Sequence, residues 1–305
     1  MIDLVGKRFK LFALSAVVLL VCIVTLATSG LKMGIDFSSG SILTLSFEEG
    51  IELNELRQAL SELGYENAVV QVTGEGDFLI RTLTLKAEEK ASMEAALEEK
   101  LGSLEELAFE NVDPIIARQT ARNAAIAVAI AAISIMLYIT WAFRRMPKPF
   151  RYGTCAILAL VHDLIVVIGI FALLSIFFKL EVNLMFVTGV LAVLGYSVND
   201  TVVIFDRIRE NRLNHPNSDF AAIVNHSLVE TITRSLNTGI TTLVVVVALL
   251  LFIGSTIANF AITMLIGIIA GTFSSIFIAA TLLVVWEKKE WKRFVPWLNK
   301  GEAKA

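Results

Sequence analysis

The chain has little with which to cross-link, coordinate or catalyse. Its 305 residues include two cysteines and three histidines. Cys22 and Cys155 each sit inside an apolar run, which suits a small buried hydrophobe better than half of a disulfide. His162, His215 and His226 are scattered, and no Cys/His cluster has metal-site spacing. Also absent are an H-E-x-x-H helix, a G-x-S-x-G elbow and a Gly-Lys-Ser/Thr phosphate loop. Intramembrane proteolysis and ATP hydrolysis therefore find no support. The expected reading is a protein that is not an enzyme, holds no cofactor or metal, and does not bind nucleic acid.

Apolar residues are what the chain has. They make up 56% of it, against about 45–50% in soluble globular proteins. A helix needs about 20 apolar residues to cross a bilayer, and six runs qualify: 11–31, 124–143, 155–178, 184–205, 234–258 and 260–286. The first is long enough to remain as a span rather than be cleaved as a signal. The last two are joined by almost nothing and read as a tight hairpin. Short-loop Lys and Arg residues set orientation. They cluster before the first run (Lys7, Arg8, Lys10), between the second and third (Arg144, Arg145, Lys148, Arg151), after the fourth (Arg207, Arg209, Arg212) and after the sixth (Lys288, Lys289). The turn after the third run has only Lys179 opposite Glu181. Both termini are thus expected in the cytoplasm, in a multi-pass protein whose polar insert lies outside.

The expected organisation is residues 1–31 (cytoplasmic N-terminus and first span), 32–122 (outer domain), 123–286 (five further spans) and 287–305 (cytoplasmic tail). The insert is acidic, with 18 Asp/Glu against 8 Lys/Arg. Alternation predicts strands at 42–47, 68–73, 78–83 and 106–112, and helical spacing predicts helices at 52–63 and 87–101. Gly74-Glu75-Gly76-Asp77 reads as the turn between the middle strands. The order βαββαβ is that of a ferredoxin-like module. Residues 206–233 read as an amphipathic cytoplasmic segment. His215-Pro216-Asn217-Ser218 makes its turn, Ser218 caps a new helix, and Phe220, Ile223, Val224 and Leu228 form a stripe expected to lie along the membrane surface.

Charges inside the spans are costly, roughly 2.5–3.5 kcal/mol each on insertion scales. Asp200 lies in the fourth run and Arg234 opens the fifth, where Arg234, Asn237, Thr238 and Thr241 share one face. Asp163, beside His162, lies in the third. Helix direction brings Asp163, Asn199, Asp200, Arg234 and Asn237 to similar depth, so they are expected to form one cluster. Two readings stay open. One is polar glue between helices. The other is a carboxylate that exchanges a proton as a cationic partner moves. Gly267 and Gly271, continued by Ser274, read as a packing face. Trp286, Trp291 and Trp297 read as an interfacial belt.

Several strings resemble the SecD/SecF family of protein-export membrane proteins, in its SecF branch. Gly34-Ile35-Asp36-Phe37-Ser38-Ser39-Gly40-Ser41 is similar to that family's signature after the first span, with Ser39 where Gly is usual, a change expected to touch only the local turn. Val161-His162-Asp163 resembles its third-helix motif. Gly195-Tyr196-Ser197-Val198-Asn199-Asp200-Thr201 through Asp206-Arg207-Ile208-Arg209-Glu210-Asn211 is similar to its most diagnostic string. Thr233-Arg234-Ser235 with Thr241-Thr242, and residues 263–275, resemble its fifth- and sixth-helix motifs. The resemblance implies six membrane helices of half-RND-exporter type with an outer ferredoxin-like domain. It implies SecD, the SecYEG translocon, the emerging preprotein and membrane lipids as partners in a bacterial or archaeal plasma membrane. It also ties Asp200 and Arg234 to use of the proton-motive force. A non-conducting subunit that stabilises the translocon is the alternative.

Overall fold

A computed structural model describes residues 3–48, 50–73, 76–252 and 257–293. The chain opens with helix α1 (Arg8–Ser29). A polar stretch follows: α2 (Ile35–Ser38), β1 (Gly40–Phe47), α3 (Leu53–Glu62), β2 (Val69–Val72), β3 (Phe78–Thr82), α4 (Ala87–Leu101) and β4 (Leu104–Val112). Then come α5 (Pro114–Ala142), α6 (Pro149–Phe178), α7 (Leu184–Asn214) and α8 (Phe220–Phe252). The last rod is α9 (Ala258–Ser274), a π-helical turn (Ser275–Ala279) and α10 (Ala280–Glu287). The chain divides into two compact units, Met33–Ala125 and the remainder.

In the helical unit, six helices among the described residues are long and apolar enough to cross a membrane: α1, α5, α6, α7, α8 and the α9–α10 rod. The rod is the most enclosed, at 78% buried over its apolar window, and α5 the least, at 6%. The rod is therefore the axis of the bundle. Missing side chains let it sit there. A Cβ on Gly267 would stand 2.0 Å from Val193 Cγ2, and one on Gly271 would stand 3.0 Å from Ser197 Cβ. The G-x-x-x-G face is thus the seat of α7. Small residues permit such close helix approach, which in lipid is a main source of association. Cys22 and Cys155 are free and buried, as their apolar surroundings imply. Phe143, Tyr152 and Phe205 close one end of the bundle, with ring centroids 5.3–6.0 Å apart. Trp286 and Trp291 make an edge-on pair at 5.7 Å, and Trp297 lies outside the described residues, as does the connection at 253–256.

The segment 206–233 corrects the expected surface-lying helix. α7 continues unbroken to Asn214, and α8 runs from Phe220 straight into its apolar half. The stripe Ile223, Val224 and Leu228 is buried against neighbouring helices. Polar clamps make this possible. Arg207 grips Glu230 through Nε (2.7 Å) and Nη2 (2.8 Å), and Asn211 donates to Ser227 (2.9 Å) and Glu230 (2.8 Å). Asp219, rather than Ser218, caps α8. Its carboxylate is held below the usual range by Lys288, which donates to it at 3.1 Å, and by the backbone amides of Ala222 and Ala221.

The polar unit has the expected order of elements. Its sheet is ordered β2-β3-β1-β4, and every neighbouring pair is antiparallel. Leu43, Leu45, Phe78 and Ile80 alternate inward from the strands, and Leu56, Leu60, Met93 and Leu97 meet them from α3 and α4. Of the expected turn at 74–77, residues 74 and 75 lie outside the described residues; Thr73 N donates to Asp77 O at 2.8 Å across it. Helix α2, four residues long, is too short to leave a period in the sequence. It begins the signature segment, with Asp36 in its first turn. Arg81 ties this segment down by donating to Met33 O (3.0 Å) and Ser38 Oγ (2.8 Å).

Ser39 explains why glycine is usual at its position. Its backbone has φ 61° and ψ 169°, a region nearly restricted to glycine that costs other residues about 1–3 kcal/mol. Ser39→Gly should relieve this strain, less about 0.5–1 kcal/mol of added chain entropy. The expected gain is about 1 kcal/mol, read as roughly fivefold slower amide exchange across β1 and β3. Unchanged or faster exchange would show that Ser39 is not strained.

Candidate functional site

Helical geometry sorts the polar residues of α7 by face. Ser197, Asp200, Thr201 and Ile204 point inward, whereas Gly195, Asn199 and Asp206 are exposed and Tyr196 is half-buried. Two separate carboxylate sites result, in place of the single expected cluster.

The first is Asp163, fully buried on α6. Its Oδ2 accepts from Ser197 Oγ of α7 at 2.6 Å and from Ser274 Oγ of α9 at 2.7 Å. Its Oδ1 lies 3.0 Å from His162 Nδ1. One side chain thus joins three helices. The π-turn helps, because it seats two consecutive residues inward. Ser274 reaches Asp163, and Ser275 meets Thr201 Oγ1 at 2.7 Å and donates to Ser197 O at 3.2 Å. Such π-turns often occur at functional sites.

The second is Asp200. Its Oδ1 accepts from Ser235 Oγ of α8 at 2.5 Å, and its Oδ2 is buried without a protein partner. Arg234, the neighbour of Ser235, is exposed and, among the described residues, forms no ion pair with Asp200. Asn237, Thr238 and Thr241 are exposed beside it, as is Asn199 on α7. The structure therefore separates Asp163 from Asp200, and it turns Arg234, Asn199 and Asn237 outward. The reason is rotational: α8 offers Ser235 and Gly239 to the bundle, which puts the Arg234–Asn237–Thr241 face on the other side.

The charged end of the long motif serves α7–α8 packing. Asp206 pairs with Arg209 at 2.7 Å, while Arg207 bridges Glu210 and Glu230, each at 2.7 Å. The serines that answer the two carboxylates escape sequence reasoning. Ser235 lies inside the Thr233-Arg234-Ser235 string and was the one legible signal; Ser274 looks like a continuation of the packing glycines.

The family model for the C-terminal region of SecD/SecF protein export membrane proteins matches residues 92–289, and the SecD/SecF GG motif matches residues 24–51. The chain belongs to the SecD/SecF family. It is 41% identical to the protein translocase subunit SecF of Thermobaculum terrenum, over 96% of each chain. It is 38% identical to that of Anaerolinea thermophila, over 99% of this chain and 98% of the other. The protein translocase subunit SecDF of Bacillus subtilis is 33% identical over 95% of this chain, which spans 39% of that longer protein. The crystal structure of SecDF, a translocon-associated membrane protein from Thermus, superposes with a TM-score of 0.82 at 32% identity. That match covers 94% of this chain and 39% of the other. The GG-motif match of this SecD/SecF member takes in Ser39 and Gly40, where the left-handed backbone occurs.

Asp163→Ala should strip the acceptor from two buried hydroxyls, with a loss of about 1–3 kcal/mol. Ser274→Ala should lose less, since Ser274 has a second acceptor in Gly271 O at 3.2 Å. Thermal unfolding midpoints of the purified proteins check the order; an unaltered midpoint for Asp163→Ala would remove it as a pin.

Proposed function

We propose that this chain is the SecF subunit of a SecD–SecF assembly that uses the proton-motive force to assist Sec-dependent protein translocation. Asp200 is the proton-exchanging carboxylate, and Arg234 is its movable counter-charge. The observation that carries this reading is the exposed face of α8. Arg234, Asn237, Thr238 and Thr241 line it, and Asn199 of α7 is exposed as well. Lipid cannot cover a guanidinium at that depth without a penalty of roughly 2.5–3.5 kcal/mol. Protein must cover it, and the SecD half present in the fused relatives is the natural cover. Asp200 stands just behind, gripped on one oxygen only. Its second oxygen is available to an approaching arginine or proton, so movement of α8 couples to proton exchange.

The βαββαβ order and the sheet order β2-β3-β1-β4 support reading the polar unit as a ferredoxin-like module, and the membrane part as half of an RND-type exporter. The Lys/Arg loops support cytoplasmic termini in a bacterial plasma membrane. The SecYEG translocon, the emerging preprotein and membrane lipids complete the partners. The chain acts as a coupling subunit and not as an enzyme.

Asp200→Asn, which keeps size and the Ser235 hydrogen bond, should abolish gradient-driven stimulation of translocation in vesicles holding SecD while leaving insertion intact. Arg234→Lys should impair it strongly, because lysine lacks the planar fork that grips a carboxylate. Wild-type translocation by Asp200→Asn would leave only a structural subunit.

A further inference from the structure

Helices α1 and α9 both pack on α6, and α1 also meets the π-turn. Between α1 and α9 lies a groove of about 470 Å³. Its floor is the α6 ridge from His162 to Leu174, about 18 Å of helix. It opens sideways between Leu14 of α1 and Ile269 of α9, both exposed. Among the described residues every lining side chain but one is aliphatic or aromatic, and the exception is His162, at one end of the groove. His162 is only 7% exposed. Its Nδ1 lies 3.0 Å from Asp163 Oδ1. Nε2, on the other side of the ring, is buried and has no hydrogen-bond partner among the described residues.

A buried polar atom is costly unless it finds a partner. The protein supplies none to Nε2. Water is a poor substitute, because a space with one polar group on an otherwise apolar wall does not hold it. We propose that the groove binds a lipophilic alcohol, whose apolar body lies along α6 and whose hydroxyl meets His162 Nε2. The volume falls within the range of small-molecule sites, about 300–1,000 Å³, which are mostly apolar with a few polar groups that fix orientation. A hydroxyl suits Nε2 in either tautomer of the ring, because it both donates and accepts. A plain hydrocarbon chain fills the groove but leaves Nε2 bare, and a charged head finds no counter-charge on these walls. The side opening admits the ligand from the surrounding lipid. An occupant would also bear on Asp163, next in the chain to His162 and the side chain that joins α6, α7 and α9. The site is independent of the roles proposed for Asp200 and Arg234.

The test uses the full chain, with and without its SecD partner, in phosphatidylcholine nanodiscs. The probes are dodecanol carrying a diazirine within its chain and dodecane carrying the same diazirine. After irradiation, the labelled residues are located by peptide mass spectrometry. The expected result is saturable labelling along the groove, on α1, α6 and α9, displaced by unlabelled dodecanol and roughly tenfold stronger with the alcohol than with the hydrocarbon. His162→Phe keeps a ring but no nitrogen, and should bring alcohol labelling down to the hydrocarbon level. Ala270→Leu on α9 and Val18→Trp on α1 fill the groove and should each suppress labelling by both probes; they carry the test if His162→Phe does not fold. Equal labelling of the wild type by the two probes overturns the proposal and leaves a groove for lipid tails only. Undiminished alcohol labelling in folded His162→Phe, or in both groove-filling variants, overturns it as well. Loss of wild-type labelling once SecD is added makes the groove a protein contact, and also overturns it.

Discussion

A carboxylate in the middle of a lipid-embedded bundle must find its hydrogen bonds in the protein, and Asp163 finds them on three helices. Ser197 and Ser274 both donate to its Oδ2. Because none of these groups can turn to water instead, the rotation of α6, α7 and α9 about their axes is fixed together. The glycine contacts of α9 with α7 follow from that setting, for Gly271 sits directly against Ser197. Once α7 is fixed in this rotation, Asp200 must face α8, and Ser235 must answer it. The arrangement of the second carboxylate is therefore a consequence of the first.

The contrast between the two acids is a contrast in satisfaction. Asp163 has a polar partner at each oxygen, whereas Asp200 has one donor and one bare oxygen. A saturated site resists change, and an under-supplied one is open to a new ligand. Structural and functional readings of intramembrane charge are usually set against each other. In the function proposed for this chain they fall on different residues, Asp163 and Asp200.

Much of this was legible in the sequence. The six spans follow from length and apolarity alone, and the polar unit follows from alternation in β1 and β3 and from helical spacing in α3 and α4. Asp200 and Arg234 declare themselves by being costly where they stand. The facing of α8 was not legible, because a polar face looks the same in sequence whether its own bundle or another chain covers it. Likewise the stripe of Ile223, Val224 and Leu228 suits a lipid surface as well as a neighbouring helix; only Arg207 and Asn211 gripping Glu230 decide between them. The serine partners were hidden because serine is common in membrane helices for reasons of size.

The π-turn in the last rod amounts to a shift of phase. It inserts an extra residue into the helical count, so α10 presents its side chains about 100° away from where an uninterrupted α9 would place them. Residues 280–285 are all buried, so each face of this first part of α10 is fitted to its neighbours in that rotated setting. Removing a single residue between 275 and 279 would restore regular winding and present every one of these side chains to a different set of neighbours at once. In this stretch the packing depends on the length of the chain as well as on the identity of its side chains. A deletion there would act at a distance, on residues whose own chemistry it leaves untouched.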